Sequence, residues 1–307
     1  MVKIGIIGTG SMGRNHLRVV NSITGFKLTC AADTKEENLI DACEPYRLEK
    51  VSDYKNMANL VDAVMVSTPT ESHYHITKHF LEHHKHVLVE KPFTISLEQA
   101  DECINLAKKN NCVLAVGHLE RFNPAVEYIG SLVNRPLFIE VQRLGSFSPR
   151  SLDVDVIMDL MIHDLDIILQ WDKSGVKQIN ASGIPIISNK IDIANVRLEF
   201  ASGLVANVTA SRVSQKKTRK LRIFQKNKYF SLDYKKKRVK IFKLAQGTIL
   251  EDIPEISPVE PLLNLWNNFL KTIETGKNYN VTGLDGRNAL SLAIKISNNI
   301  DTKKIGF

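Results

Sequence analysis

Residues 8–13, Gly-Thr-Gly-Ser-Met-Gly, directly follow the apolar run Ile4 to Ile7 and open a helical pattern. Between a strand and a helix, each glycine has a purpose. Gly8 permits the tight turn, Gly10 lets a pyrophosphate approach the backbone, and Gly13 lets helix and strand pack closely. The amides at that helix start, those of Ser11 and Met12 among them, then face the phosphates. Asp33 ends the next apolar run, twenty residues after Gly13, where a carboxylate binds adenosine ribose hydroxyls and repels a 2′-phosphate. The pattern predicts a dinucleotide cofactor, NAD in preference to NADP, with Lys35 as a nearby phosphate partner.

Short apolar runs at 3–7, 27–32, 62–68, 87–90 and 113–117 alternate with helical patterns. Such alternation predicts a parallel sheet covered by helices. Ser96-Leu97-Glu98-Gln99 reads as a capping box opening a helix to about residue 110. After Arg121-Phe122-Asn123-Pro124 the character changes. A helix is expected near 125–133, a strand near 137–144 and a long helix over 154–171. From 176 to 244 the chain is almost all strand-like, with turns at Ser188-Asn189, Ser202-Gly203 and Lys226-Asn227. Five or six successive strands imply a largely antiparallel sheet, and two helices follow at 262–275 and 284–299. The expected fold class is α/β: a doubly wound Rossmann domain over 1–119, then an α+β domain over 120–307 for substrate binding and oligomerisation.

A length of 307 residues suits two domains. The net charge of +8 is concentrated at 216–222 and 235–240. Those basic runs alternate with strand-forming residues and lack stacking aromatics, so they read as a solvated sheet face and not as a nucleic-acid site. The longest run free of Asp, Glu, Lys and Arg is twelve residues, too short for a membrane span. The amino terminus lacks the apolar segment and cleavage site of a secretory signal, and the four cysteines form no Cys-x-x-Cys pair. A cytoplasmic protein with reduced thiols is expected. His75, His79 and His83 recur every four residues on one helix. They cannot readily enclose a tetrahedral ion without a ligand from elsewhere, so no metal is expected.

Ligands of open α/β sheets sit outside the carboxyl ends of the strands. Thr68-Pro69 and Glu90-Lys91-Pro92 end two of the predicted strands, and Pro92 fixes the turn that places Lys91. Gly8-x-Gly10-x-x-Gly13, Thr68-Pro69-x-x-x-His73 and Glu90-Lys91-Pro92 together resemble the glucose-fructose oxidoreductase / inositol dehydrogenase family. The resemblance spans the whole chain and implies a dehydrogenase acting on CH–OH groups. It adds Thr68, Pro69, His73, Glu90 and Lys91 to the expected cofactor contacts.

That family also carries Asp-x-x-x-His in a helix of its second domain, matched here by Asp159-Leu160-Met161-Ile162-His163. Helical spacing puts Asp159, His163 and Asp166 along one face and turns Asp164 elsewhere. Family members often have glycines just ahead of this Asp, where the present chain has Asp155-Val156-Ile157-Met158. The wider wording, Gly117-His118-Leu119-Glu120-Arg121-Phe122-Asn123-Pro124 included, resembles a branch acting on nucleotide sugars. It implies oxidation of a sugar alcohol to a ketone, at C3 of a UDP-N-acetyl sugar. Inositol or free-sugar oxidation, or a non-catalytic NAD(P)-binding regulator, are the alternatives. Lys91, His163 and Asp159 are the expected catalytic and substrate-binding residues, and the residues leave open which of Lys91 and His163 takes the proton. Arg121 and Asn123 are read either as substrate contacts or as a structural hinge. A homo-oligomer, dimer or tetramer, is expected.

Overall fold

The computed structural model describes residues 1–147, 154–277 and 280–300. In its first unit, Met1–Phe122 with Val259–Arg287, the apolar runs form six strands. They are β1 (Val2–Ile7), β2 (Phe26–Ala32), β3 (Glu49–Val51), β4 (Ala63–Val66), β5 (His86–Val89) and β6 (Leu114–Val116). All pair in parallel, in the order β3-β2-β1-β4-β5-β6. Helices α1 (Ser11–Val20), α2 (Glu36–Cys43), α3 (Thr70–Glu82) and α4 (Leu97–Lys109) connect them. The order reverses between β1 and β4, which opens a crevice at their carboxyl ends. Residues 63–66 of β4 are all buried, as strands covered on both faces must be. Strand β3, absent from the expected set, is a short edge strand carrying Glu49 and Lys50. In α4, Ser96 Oγ accepts the Gln99 amide as expected (3.4 Å). The return bond of the capping box is not made, because Gln99 Oε1 is buried without a hydrogen-bond partner.

The second unit, Asn123–Pro258 with Asn288–Phe307, starts with α5 (Pro124–Gly130) and β7 (Phe138–Leu144). A π-helical turn, Ile157–Met161, leads into α6 (Ile162–Trp171). Then come β8 (Val176–Ile184), β9 (Ile193–Phe200), β10 (Val205–Ser211), β11 (Thr218–Gln225), β12 (Lys228–Asp233), β13 (Arg238–Ala245) and β14 (Thr248–Asp252). The eight strands lie in the order β14-β13-β12-β11-β7-β10-β9-β8. Every pair is antiparallel except β7 with β10. One sheet face is buried with α6 and the last helix: Val141, Val196, Val208 and Leu221 share a core with Leu165 and Ile168.

Two helices end the chain, α7 (Pro261–Thr275) and α8 (Gly283–Asn299). The expectation that everything after residue 119 belongs to a second domain is corrected by α7. Its apolar stripe, Leu262, Leu265, Trp266 and Phe269, is buried in the core of the first unit, and Glu260 just before it pairs with Arg18 of α1. Only the later part of α8 joins the second core, through Ala289, Leu292, Ala293 and Ile296. Among the described residues no helix is long and apolar enough to cross a membrane. All four cysteines are free thiols; burial pushes Cys30 up to about 11 and Cys103 to about 12.

Candidate active site

In the first unit the carboxyl ends of β2, β1, β4 and β5 stand side by side. They bring together Asp33, the glycine turn, Thr68-Pro69 and Glu90-Lys91. Two of the three glycines are required by the protein itself. Gly8 has φ +86°, and a Cβ there would lie 2.6 Å from the Ser67 carbonyl oxygen; at Gly13 it would lie 1.9 Å from the Gly8 carbonyl oxygen. Gly10 is different, since a Cβ there meets nothing within 4 Å. Gly10 caps α1 without a side-chain hydrogen bond, and no acidic residue stands in the first turn. Open space at a helix start, beside a glycine the packing does not need, fits a dinucleotide pyrophosphate. Ser11 and Met12 of that turn are exposed.

Asp33 also has a structural role that the sequence reading missed. Its Oδ2 accepts the Thr9 amide (2.7 Å) and the Thr9 hydroxyl (2.9 Å), and its Oδ1 accepts the Lys35 amide (2.9 Å). The carboxylate therefore ties the glycine turn to the end of β2.

His73 was expected among the cofactor contacts. It is buried in α3, with Nε2 2.8 Å from the Thr68 carbonyl oxygen and Nδ1 2.8 Å from that of Pro92. Burial lowers its pKa, so the neutral ring donates to one carbonyl at a time. It braces the loops that follow β4 and β5, while Ser72 Oγ donates to Thr68 Oγ1 at 2.7 Å.

At the end of β5 the Lys91–Pro92 peptide is cis and Lys91 is half-buried. Glu90 Oε2 accepts the Lys91 amide (3.2 Å), and Glu90 Oε1 lies 2.9 Å from His16 Nε2. Beyond, His16 Nδ1 lies 3.0 Å from Trp266 Nε1. A Cβ on Gly117 would stand 3.1 Å from Glu90 Oε2, so a small residue leaves room for the carboxylate. The only sequence sign of this chain of contacts is a histidine on the apolar side of α1, beside Leu17 and Val20.

Arg121 and Asn123 each bond to the protein within their own unit. Arg121 is buried and donates to the Asn280 carbonyl (3.3 Å) and to Asp285 (3.4 Å). Asn123 Oδ1 accepts the Ala125 amide at the start of α5 (3.1 Å).

In the second unit, Asp155 occupies part of the segment where glycines were noted as usual. Its Oδ1 accepts the amides of Ile157 (3.0 Å) and Met158 (2.9 Å), and its Oδ2 accepts the Ser297 hydroxyl (2.8 Å). A capped π turn follows, so Asp159 and His163 span a junction of wider winding and not one regular helix. Both are half-buried. Asp164 does turn elsewhere, to Arg143, with bonds of 2.6 and 2.8 Å. Asp159 lines a cavity of about 260 Å³ with Arg143, Arg212, Lys217 and Arg219. Within 216–222, Lys216, Lys217 and Lys220 are exposed, as a solvated face requires, while Leu221 is buried and Arg219, on the same side of β11, is half-buried.

Residues 2–118 match the model of an oxidoreductase family with an NAD-binding Rossmann fold. Among curated proteins, UDP-N-acetylglucosamine 3-dehydrogenase of Acidithiobacillus ferrooxidans is 32% identical over 302 residues, covering 96% of each chain. Myo-inositol 2-dehydrogenase of Thermotoga maritima is 26% identical over 99% of this chain and 97% of its own. Among solved structures, that of the Acidithiobacillus ferrooxidans enzyme superposes with a TM-score of 0.93 at 31% identity, over 97% of both chains.

Proposed function

The chain belongs to the oxidoreductase family built on an NAD-binding Rossmann fold, and from that premise we propose that it oxidises C3 of a UDP-linked N-acetyl sugar to a ketone. The observation that carries this reading is the likeness, along the whole length, to a protein named for that reaction. Bound NAD supplies the hydride acceptor. The protein's task is to hold the alcohol and remove its proton, which needs a positioned base and a charge facing the developing alkoxide.

His163 is the general base, Lys91 the cationic donor to the alcohol oxygen, and Asp159 the group that orients substrate or imidazole. A desolvated lysine can also serve as base, so Lys91 and His163 can exchange roles. Gly10, Ser11 and Met12 receive the pyrophosphate. Asp33, ending β2 with a negative charge, favours NAD over NADP. Its four free thiols suit the reducing cytoplasm.

The sheet face away from the helices carries a ladder of Phe138, Phe224, Tyr229 and Phe242, with ring centroids 4.6–5.9 Å apart. This face is the proposed seat of a homo-oligomer, and light scattering giving only the 34.5 kDa monomer at micromolar protein would contradict it.

The test is a screen of purified protein with NAD against UDP-N-acetylglucosamine, UDP-N-acetylgalactosamine, myo-inositol and glucose. NADH formed from a UDP-N-acetyl sugar alone is expected. Turnover of myo-inositol would transfer the reading to the inositol relatives, and no turnover of any would favour a cofactor-binding regulator.

A further inference from the structure

Three neighbouring strands, β10, β7 and β11, share one buried face. Ile139 and Val141, Val208 and Ala210, and Leu221 and Ile223 supply it. Period-two alternation continues that face at Arg143 and Arg219, and Arg212 and Lys217, one residue beyond the ends of β10 and β11, line the same cavity. The register agrees: Ala210 and Arg219 are the partners of Arg143 on either side. Four cations therefore stand at one end of three adjacent strands, where the pattern otherwise supplies aliphatic side chains. Two arginines directly opposed across a strand pair repel one another, and buried cations carry a desolvation cost that apolar residues would avoid.

The deeper pair is held in place by carboxylates. Asp164 grips Arg143 with bonds of 2.6 and 2.8 Å, and Asp192 grips Arg212 at 2.7 Å. Lys217 is exposed and Arg219 half-buried. All four reach the cavity that Asp159 lines. An anion with several oxygens gains charge-assisted hydrogen bonds from such a wall.

We propose that this cavity binds the diphosphate of a nucleoside diphosphate, with Lys217 and Arg219 as its phosphate contacts. The assignment rests on the nucleotide-sugar reading above for the kind of phosphate it names. It extends that reading by giving the handle of the substrate its own site, beside the residue that meets the sugar.

The test is calorimetric titration of the full chain, saturated with NAD, with UDP and with uridine. Saturation separates this site from the cofactor's own diphosphate. UDP should bind at least about tenfold more tightly than uridine, and more weakly as salt rises. Lys217→Gln and Arg219→Gln should each weaken UDP by about tenfold while NAD affinity and the melting temperature stay as in the wild type. Lys216→Gln and Lys220→Gln, exposed residues that do not line the cavity, should leave UDP binding unchanged. Equal affinity for UDP and uridine, displacement of UDP by NAD, or wild-type UDP binding in both cavity variants would overturn the proposal. Oxidation of UDP sugars with unchanged KM in those variants would sink the site and leave the reaction standing. UDP bound as expected by a protein that oxidises no nucleotide sugar would do the reverse.

Discussion

Trp266 Nε1–H donates to Nδ1 of His16 across 3.0 Å, and this bond decides which imidazole nitrogen carries the proton. An indole nitrogen only donates, so Nδ1 accepts and Nε2–H donates to Glu90 Oε1 at 2.9 Å. Burial pushes the Glu90 carboxyl up, but the His16 hydrogen bond, the Lys91 ammonium and the Lys91 amide outweigh it and hold its pKa below the ordinary value. A neutral histidine thus steadies the carboxylate that grips the backbone of Lys91. Trp266→Phe keeps an aromatic ring, though a smaller one, and removes the donor, leaving a buried acceptor unpaired beside a small cavity. Urea unfolding should show a loss of about 1–3 kcal/mol, and an unchanged unfolding free energy would contradict the tautomer.

The three glycines should respond differently to alanine. Gly10→Ala meets no protein atom and keeps an ordinary φ of −65°, so its melting temperature should stay near wild type while NAD affinity falls. Gly13→Ala collides with the Gly8 carbonyl and should destabilise the fold itself. Full NAD binding by Gly10→Ala would remove the pyrophosphate from this turn.

Because Asp33 binds both Thr9 and Lys35, its substitution has two effects. Asp33→Ala should weaken NAD and narrow the gap to NADP, and it should also loosen the glycine turn. Thr9→Val removes only the hydroxyl bond, so its NAD-to-NADP preference should remain. Tighter binding of NADP than NAD by the wild type would show that Lys35 dominates.

Asp192 accepts the amides of Ile186, Ile187 and Ser188 at 2.7–2.9 Å and pairs with buried Arg212. Burial alone would raise its pKa, but these bonds hold it well below the carboxylate range. A depressed folded pKa contributes stability that is complete above the unfolded value, about 3.9 for Asp, and is lost as pH falls toward the folded one. Asp192→Asn should therefore flatten the fall in stability below about pH 4. At neutral pH it should cost about 3–5 kcal/mol, because Arg212 is left buried without its charge partner. Parallel stability–pH curves for wild type and variant would contradict this role. Asp164→Asn carries a similar cost through Arg143, so a loss of turnover there reports packing and not chemistry.

The first unit was legible because its signals are local. Residues 8–13 and the aliphatic runs of β1, β4 and β5 specify strand, turn and strand end within a few positions. Strand β3 escaped because Glu49-Lys50-Val51 is too short and too charged to show a period. The destination of α7 was hidden, since an amphipathic stripe records that a helix is buried and not in which core; only the meeting of Trp266 with His16, 250 residues apart, decides it. The cationic wall escaped for a related reason. Alternation along β11 is visible in Arg219 and Leu221, but Arg143 and Arg212, which line the same cavity as Arg219, come from parts of the sheet whose order the sequence does not state.

Turnover by Lys91→Ala and His163→Ala, measured as kcat with NAD and the UDP-N-acetyl sugar, tests the chemistry most directly. Each should fall by roughly two to four orders of magnitude, the usual worth of a positioned acid–base or oxyanion group, with NAD affinity little changed. Near-wild-type kcat in both variants would leave the dinucleotide fold intact and contradict the assignment of the chemistry to these residues.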